Sequence, residues 1–432
     1  MTYEPTEQGV ASRPLRHARL TPRRAWPNVL KGVASALAVV LIGSSGVAAY
    51  AAWDLVASTK QTVKLASDKM LESVPDVGAI DGGVNLLLVG SDSREGQGAA
   101  FGEGTKEGEG VLNDVTILLH ISQDHSHAEV ISIPRDTIVP VPECDNPREA
   151  GDTLSALSGV KINSVLSYGG LPCVVKTVEK LTGVTIPFVG MVQFTGVAAL
   201  SEAVGGVDVC IAEEIIDPYT NTYLKPGIQS LEGIAALQFL RTRYGVGDGS
   251  DLGRISNQQV FMSALARKLQ SGGVLGDPAK LYGIAKVALA NMTLSDSLAN
   301  PTRMIQIAKA MKDIDLNKLV LIQYPTSYVE GGGAVKPNSL SQLVNKALQA
   351  DQPVAISPDA DTNAFTSASG PGATATPPAT PGATTSASPA ATDAAGATPS
   401  PTGAPLQPTE LPSGVTGQSA EETRCSAGRD GR

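Results

Sequence analysis

The stretch VNLLLVGSDSR, Val84 to Arg94, decides how the rest of the chain is read. VNLLLV is a short, almost continuous apolar run bounded by Gly83 and Gly90, the pattern of a strand buried on both faces. It delivers Ser91, Asp92, Ser93 and Arg94 at its end. A Gly-rich acidic excursion from Glu95 to Gly110 reads as a mobile loop, and a second strand, VTILLHI, follows from Val115 to Ile121. The connection QDHS leads into a third, AEVISI, ending at Ile133, and its shortness predicts a hairpin. If the second strand runs antiparallel to its neighbours, its start at Asn113-Asp114 shares a sheet edge with Asp92 and with Arg135-Asp136 after the third strand.

Further along, helical spacing predicts helices near Ile162–Tyr168, Pro172–Leu181, Phe194–Ala203, Leu231–Leu240, Ile255–Leu269, Ala279–Leu289, Thr302–Met311 and Leu340–Ala350. Strands are expected at Phe188–Val192, Val207–Ile211 and in KLVLIQY, which ends at Tyr324. Strands interleaved with helices, after an early hairpin, give an α/β class: a three-layer α/β/α sandwich with a mixed central sheet.

Around that domain, 84–350, the composition changes. From Gly32 to Trp53 no charged residue occurs, and these 22 residues are long enough to cross a hydrocarbon core as a helix. Arg13, Arg16, Arg19, Arg23, Arg24 and Lys31 precede it against only Glu4 and Glu7. The positive-inside rule therefore keeps segment 1–31 in the cytoplasm and places the rest outside a cell membrane, on a single-pass anchor. A cleaved signal peptide is the competing reading, from the small residues Ala48, Ala49, Ala51 and Ala52. Residues 54–83 read as a stalk helix and linker. Residues 351–432 read as a disordered Pro/Ala/Thr/Ser tail, with too little apolar bulk to offset ordering entropy.

Export gives meaning to four cysteines. Cys144 in a Pro-rich loop and Cys173 in a helical pattern suit a disulfide. Cys210 reads as a buried thiol and Cys425 as unpaired in the tail. His17, His120, His125 and His127 show no metal-ligand constellation, and His125 and His127 read as solvated residues at the hairpin turn.

With 42% hydrophobic residues, 17% charged residues and a formal net charge of −9, a cluster of arginines stands out. The stretch RTRYGVGDGSDLGR places Arg241, Arg243 and Arg254 around a Gly-rich loop with Asp248 and Asp251, which as a surface network would simply neutralise them. A guanidinium grips phosphate or carboxylate oxygens two at a time. Asp92 and Asp114 beside Arg94, Arg135, Arg241, Arg243 and Arg254, with no catalytic histidine or cysteine, suit phosphoryl chemistry with a carboxylate-held divalent metal. The bland alternative is that Asp92 and Asp114 cap a turn and a strand entry.

The segments NLLLVGSDSR, NDVTILLHI, VISIPRDT, KINSVLSYGG and LEGIAALQFLRTRYGVGDGSDLGR resemble the LytR-CpsA-Psr family of membrane-anchored cell-wall proteins, over roughly Val84 to Leu269. The resemblance implies a ligase that moves a glycopolymer from a polyprenyl-diphosphate carrier to a peptidoglycan hydroxyl as a phosphodiester. It implies that Asp92 and Asp114 bind Mg2+ or another divalent cation. Arg94, Arg135, Arg241, Arg243 and Arg254, with Gln258 one turn further on, would bind the diphosphate. Asp136 matches too, and it could equally fix Arg135 by a salt bridge. The helix Phe194–Val204 is a candidate wall of a lipid tunnel.

Two rivals stay open on residues alone: a polyprenyl-diphosphate hydrolase and a non-catalytic lipid-carrier-binding protein. The expected partners are the lipid-linked glycan, the peptidoglycan acceptor and membrane lipid. Nucleic acid is not among them, because an exported domain does not meet DNA and the cytoplasmic segment is too short for a helix-turn-helix.

Overall fold

A computed structural model describes residues 26–59, 61–71, 74, 76–80, 82–93, 111–247, 249–271, 273–360, 365–367 and 407–429. It separates into two compact units, 1–53 and 54–432. Helix α1, Trp26–Ser58, begins in the first unit. Its stretch Val29–Ser58 has a mean hydropathy of 1.9, long and apolar enough to cross a membrane. Leu37, Val39, Val40, Leu41 and Ile42 are all more than half exposed, as the lipid-facing surface of an anchor would be.

The second unit is built on an eight-stranded sheet. Its strands, in chain order, are β1 (Gln61–Val63), β2 (Val84–Ser91), β3 (Asn113–Ile121), β4 (Ala128–Ile133), β5 (Phe188–Val192), β6 (Met292–Ser295), β7 (Leu319–Gln323) and β8 (Gly417–Ser419). Across the sheet they lie in the order β1-β6-β5-β2-β3-β4-β7-β8. β3 is antiparallel to both β2 and β4, whereas β5 is parallel to β2 and β7 parallel to β4. The sheet is therefore mixed, with β2 and β4 ending where β3 begins.

Side-chain alternation splits the core into two faces. Leu87, Val89, Leu118, Ile131 and Ile133 pack with Val174, Val175 and Val178 of α2 (Val165–Thr182). Leu86, Ile117, Val130 and Leu321 pack on the other side with Leu289, Ile307 and Ala310. Those last three belong to α6 (Pro278–Asn291) and α7 (Pro301–Asp313). Between α2 and α6 the chain forms α3 (Phe194–Ala203), α4 (Gly233–Arg241) and α5 (Asp251–Ser271). The last helix is α8 (Ser341–Gln349). The two helical patterns expected at 162–181 are joined across a kink at Gly170, which takes φ 71 just before Pro172.

The structure corrects the sequence reading at both ends of the domain. Residues 54–83 are not a stalk helix. After α1 the chain turns into β1, which pairs with β6, and buries Leu65, Leu71, Val77 and Ile80. Apolar residues that look like one face of a free helix are here the outer edge of the core. The tail is not disordered throughout either: residues 351–360 and 407–429 are built into the domain, while 368–406 lie outside the described residues. Val354–Ile356 pairs with Thr409–Leu411, and β8 pairs with β7. Arg424–Ser426 joins a second, four-stranded sheet beside Val207–Ile211.

Cys144 and Cys173 form a disulfide with Cα atoms 5.4 Å apart. Cys210 is no free thiol and Cys425 no unpaired tail residue: the two are bonded to each other across 215 residues. The solvated reading fails for His127, which is buried and converges with His120 and Glu129, whereas His125 is half-buried. The antiparallel register that sets His120 opposite Glu129 was not resolvable from spacing.

Candidate active site

β2 and β4 end, and β3 begins, at one edge of the sheet, and there the predicted site assembles. The Asp92 N–H donates to the carbonyl of Leu112 at 3.1 Å, and the Leu112 N–H donates to Asp92 Oδ1 at 2.8 Å. This reciprocal pair fixes the carboxyl at the mouth of β3. Burial pushes the Asp92 carboxyl above its ordinary value, and the negative charge of Asp114 pushes the same way against the Leu112 N–H and the Arg135 cation. Asn113 is fully buried and pairs with Thr116 Oγ1 at 2.9 Å, so it shapes the strand entry.

Arg135, leaving β4, donates from Nη1 to Asp114 Oδ1 at 2.5 Å. Burial pulls its guanidinium down, but Asp114, Asp136 and Asp251 more than offset this and hold it firmly charged. Asp136 lies 3.7 Å from Arg135 Nε and 2.8 Å from Lys161 Nζ, so it works as the positioning carboxylate. Arg254, on the first turn of α5, is buried; its Nη2 donates to the Asp114 carbonyl at 3.0 Å and lies 2.5 Å from Asp251 Oδ1. Asp251 is driven up by its burial and held back by Arg254 and Arg135. A narrow cleft is lined by Asp114, Ser132, Arg135, Asp251, Arg254 and Gln258.

Other predicted residues stand differently. Gln258 Nε2 donates to the Leu240 carbonyl at 3.0 Å, fastening the end of α4 as well as lining the cleft. Arg241 lies over the Phe194 ring at 4.2 Å, and Arg243 donates from Nε to the Gly249 carbonyl at 3.2 Å. Neither lines the cleft. Arg94, Asp248 and the loop 95–110 lie outside the described residues. α3 presents Phe194 to Arg241.

Sequence reasoning missed Asp217. It is fully buried, and its Oδ2 accepts from Thr242 Oγ1 at 2.7 Å, Arg243 N at 3.0 Å and Tyr244 N at 3.1 Å. Oδ1 accepts from Tyr219 N at 3.0 Å. Burial pushes this carboxyl up, yet the Thr242 hydroxyl and the three N–H groups outweigh it and leave the group below its ordinary value. One carboxylate therefore sets the path of the chain between Arg241 and Arg243. A lone aspartate in AEEIIDPYT gave no signal of that, since the three groups that meet its Oδ2, on Thr242, Arg243 and Tyr244, lie 25 to 27 residues away.

The C-terminal segment closes the other side of the same loop. Val246 bridges to Gly428, the Arg429 N–H donates to the Gly245 carbonyl at 3.0 Å, and the Ser426 hydroxyl donates to Asn257 Oδ1.

The profile of the LytR_cpsA_psr family matches residues 51–352. The chain is 25% identical over 350 residues to the cell wall biosynthesis protein LcpA of Corynebacterium glutamicum, covering 74% of this chain and 65% of that protein. It is 31% identical over 258 residues to the probable cell wall biosynthesis protein LcpB of the same organism, covering 59% and 58% of the two chains. It is 27% identical over 266 residues to TagT of Bacillus subtilis, a polyisoprenyl-teichoic acid–peptidoglycan teichoic acid transferase, covering 59% and 75%. The matches thus span less than two thirds of both corynebacterial proteins.

Proposed function

This chain belongs to the LytR_cpsA_psr family, and from that premise we propose that it is a membrane-anchored phosphotransferase acting on cell-wall glycopolymers. It takes a glycopolymer from a polyprenyl-diphosphate carrier and joins it to a peptidoglycan hydroxyl, leaving polyprenyl phosphate. The observation that carries this reading is the convergence of Asp92, Asp114, Arg135 and Arg254 at one sheet edge. The name of the TagT relative supports the substrate class.

The donor set fits a small divalent cation. Mg2+ uses one or two carboxylates and completes its shell with water and phosphate oxygens, and Asp92 and Asp114 are neighbouring carboxylates, the charge of Asp114 acting on Asp92. When bound between them, the cation would neutralise diphosphate oxygens and the leaving phosphate. Arg135 and Arg254 flank the same cleft and offer guanidinium forks to the remaining oxygens, with their orientation already set by Asp114, Asp136 and Asp251. The acceptor oxygen bonds to the phosphorus attached to the glycan as the bond from that phosphorus to the bridging oxygen breaks. Polyprenyl phosphate departs with that oxygen, and the hydroxyl proton passes to a base. Preorganised cations at the phosphate lower this barrier without reorganising during the step.

The test uses the full chain in detergent with lipid-linked glycan, a peptidoglycan acceptor and Mg2+. Covalent attachment of glycan to peptidoglycan is expected, and its loss in Asp92→Asn and Asp114→Asn. Free glycan phosphate without attachment would make the protein a hydrolase instead, and lipid bound but unchanged would make it a carrier.

A further inference from the structure

A second polar cluster lies at the opposite end of the sheet. β3 and β4 pair with Thr116 against Ile133 near the cleft, and with His120 against Glu129 and Ile121 against Ala128 at the far end. Directly opposed residues of an antiparallel pair share a face, so His120 and Glu129 point the same way. His127 precedes β4 by one residue and joins them. The three are 0%, 2% and 2% exposed respectively, and their ligand-capable atoms lie within 4.8 Å of one another.

The hydrogen bonds around the cluster leave its interior unbalanced. Asn85 Nδ2 donates to the Thr185 carbonyl at 2.9 Å, which turns the amide oxygen toward His120 Nδ1, 2.8 Å away. Nδ1 therefore carries the hydrogen, and in the neutral ring Nε2 presents a lone pair. That lone pair faces Asp351 Oδ1 at 3.0 Å, acceptor against acceptor. His127 Nε2 and both oxygens of Glu129 are buried without a hydrogen-bond partner, and Nε2 lies 3.9 Å from Oε1.

Burial pushes the Glu129 carboxyl well above its ordinary value; the Val354 backbone nearby works against this without supplying a hydrogen bond of good geometry. A proton on His120 would satisfy Asp351 but would leave Glu129 and His127 unpaired. A cation among the four groups satisfies all of them, where an orphaned buried carboxylate is costly.

We infer that His120, His127 and Glu129, with Asp351 as fourth ligand, form a binding site for a divalent transition-metal ion, with zinc the ion this donor set fits. Two imidazole nitrogens with carboxylate oxygens suit Zn2+, whereas Mg2+ and Ca2+ take oxygen ligands. Bonds of about 2.0–2.2 Å place tetrahedral ligand atoms roughly 3.5 Å apart, so the atoms of His120, His127 and Glu129 must close from within 4.8 Å, while Asp351 Oδ1, 3.0 Å from His120 Nε2, must open. The supporting contacts are those of a ligating histidine, whose second nitrogen donates to a carbonyl-type oxygen, here Asn85 Oδ1. Asp351 is held in place by the Gln123 N–H on Oδ2 at 3.1 Å, and it takes φ 50, an unusual conformation for a residue with a side chain. Four protein ligands close the coordination shell, so the ion is structural and ties the β3–β4 hairpin to the chain just beyond α8.

The experiment uses the full-length chain without a polyhistidine tag, in detergent, loaded with zinc sulfate and freed of excess ion by gel filtration. About one zinc per chain is expected for the unmodified protein and for Asp92→Asn, whose change lies at the other sheet edge. Glu129→Gln and His127→Gln should each weaken zinc binding at least tenfold. Cobalt(II) added to the unmodified protein should give the intense visible bands of a tetrahedral ion, a readout that needs no variant to fold. No stoichiometric zinc and no such bands in the unmodified protein would overturn the site, as would unchanged zinc affinity in Glu129→Gln.

Discussion

Replacing Asp217 by Asn tests whether one buried carboxylate holds the arginine loop in place. The carboxylate accepts four hydrogen bonds, from Thr242, Arg243, Tyr244 and Tyr219. In the variant the amide oxygen can still serve the three donors that met Oδ2, but each bond falls from charge-assisted to neutral, a loss of about 1 kcal/mol apiece. The amide NH2 then meets the Tyr219 N–H, donor against donor, for about 1–3 kcal/mol more. The sum, about 4–6 kcal/mol, is an upper figure because the loop can move to relieve it.

The expected result is a released loop in a folded protein: faster amide hydrogen exchange at Thr242 to Tyr244, and glycan transfer slowed at least tenfold, since each tenfold corresponds to about 1.4 kcal/mol. The pH dependence provides a second check. The folded value of Asp217 lies below its ordinary 3.8, so its stabilisation is complete above that pH and is lost as pH falls through the folded value. Asp217→Asn should lack that acid-dependent part. Unchanged exchange in the loop, together with unchanged transfer, would refute the role given to Asp217.

Two further predictions concern the candidate site and a third the C-terminal segment. Arg254→Lys keeps the charge but loses the fork that bridges the Asp114 carbonyl and Asp251, so transfer should fall about tenfold to a hundredfold in the glycan-attachment assay; full activity would remove Arg254 from the clamp. In the metal-free protein Asp92 sits above its ordinary 3.8 through burial and the charge of Asp114, so Asp114→Asn, by removing the neighbouring charge, should shift the Asp92 titration followed by NMR without Mg2+ to lower pH, and an unmoved titration would show that the two carboxylates do not interact. Cys425→Ser should cost up to about 5 kcal/mol by the chain-entropy estimate for a 215-residue closure and speed proteolysis of segment 407–429, whereas equal melting temperatures would show that the strand pairing alone holds it.

The sheet and its edge were legible because they rest on short-range signals. VNLLLV, VTILLHI and AEVISI are continuous apolar runs with short or Gly-rich connections, and the direction of a hairpin follows from its length. Once β3 is antiparallel, Asp92, Asp114 and Arg135 must share an edge, and the structure has them there. Roles within the edge were less legible. Asp136 and Asp251 pair with arginines, a role the sequence allowed beside others, whereas Gln258 ties down α4, which depends on which atom meets which.

The C-terminal segment was misread because its evidence lay in another part of the chain. Helix α5 buries Ser256, Asn257, Gln258, Gln259 and Ser263, polar groups that a core helix does not carry without partners. The side chains of Ser263 and Asn257 find partners at the end of the chain: Gln418 Nε2 donates to Ser263 Oγ and the Ser426 hydroxyl to Asn257 Oδ1, while Gln418 Nε2 also donates to the Gln259 carbonyl at 3.1 Å. Arg267 Nη1 likewise donates to the carbonyls of Ala420 and Glu422, both at 2.8 Å. The polar run in ISNQQVF was therefore the visible sign that a further strand had to cover this helix. Composition averages over the Pro/Ala/Thr/Ser tract hid which residues supply it, since Gln418 and Ser426 stand beyond that tract. The same segment bridges Val246 and bonds Gly245, so the covering that satisfies α5 also fixes the loop between Arg243 and Arg254. Stability of the C-terminal strap and geometry of the candidate phosphate site are in this way set by one set of contacts.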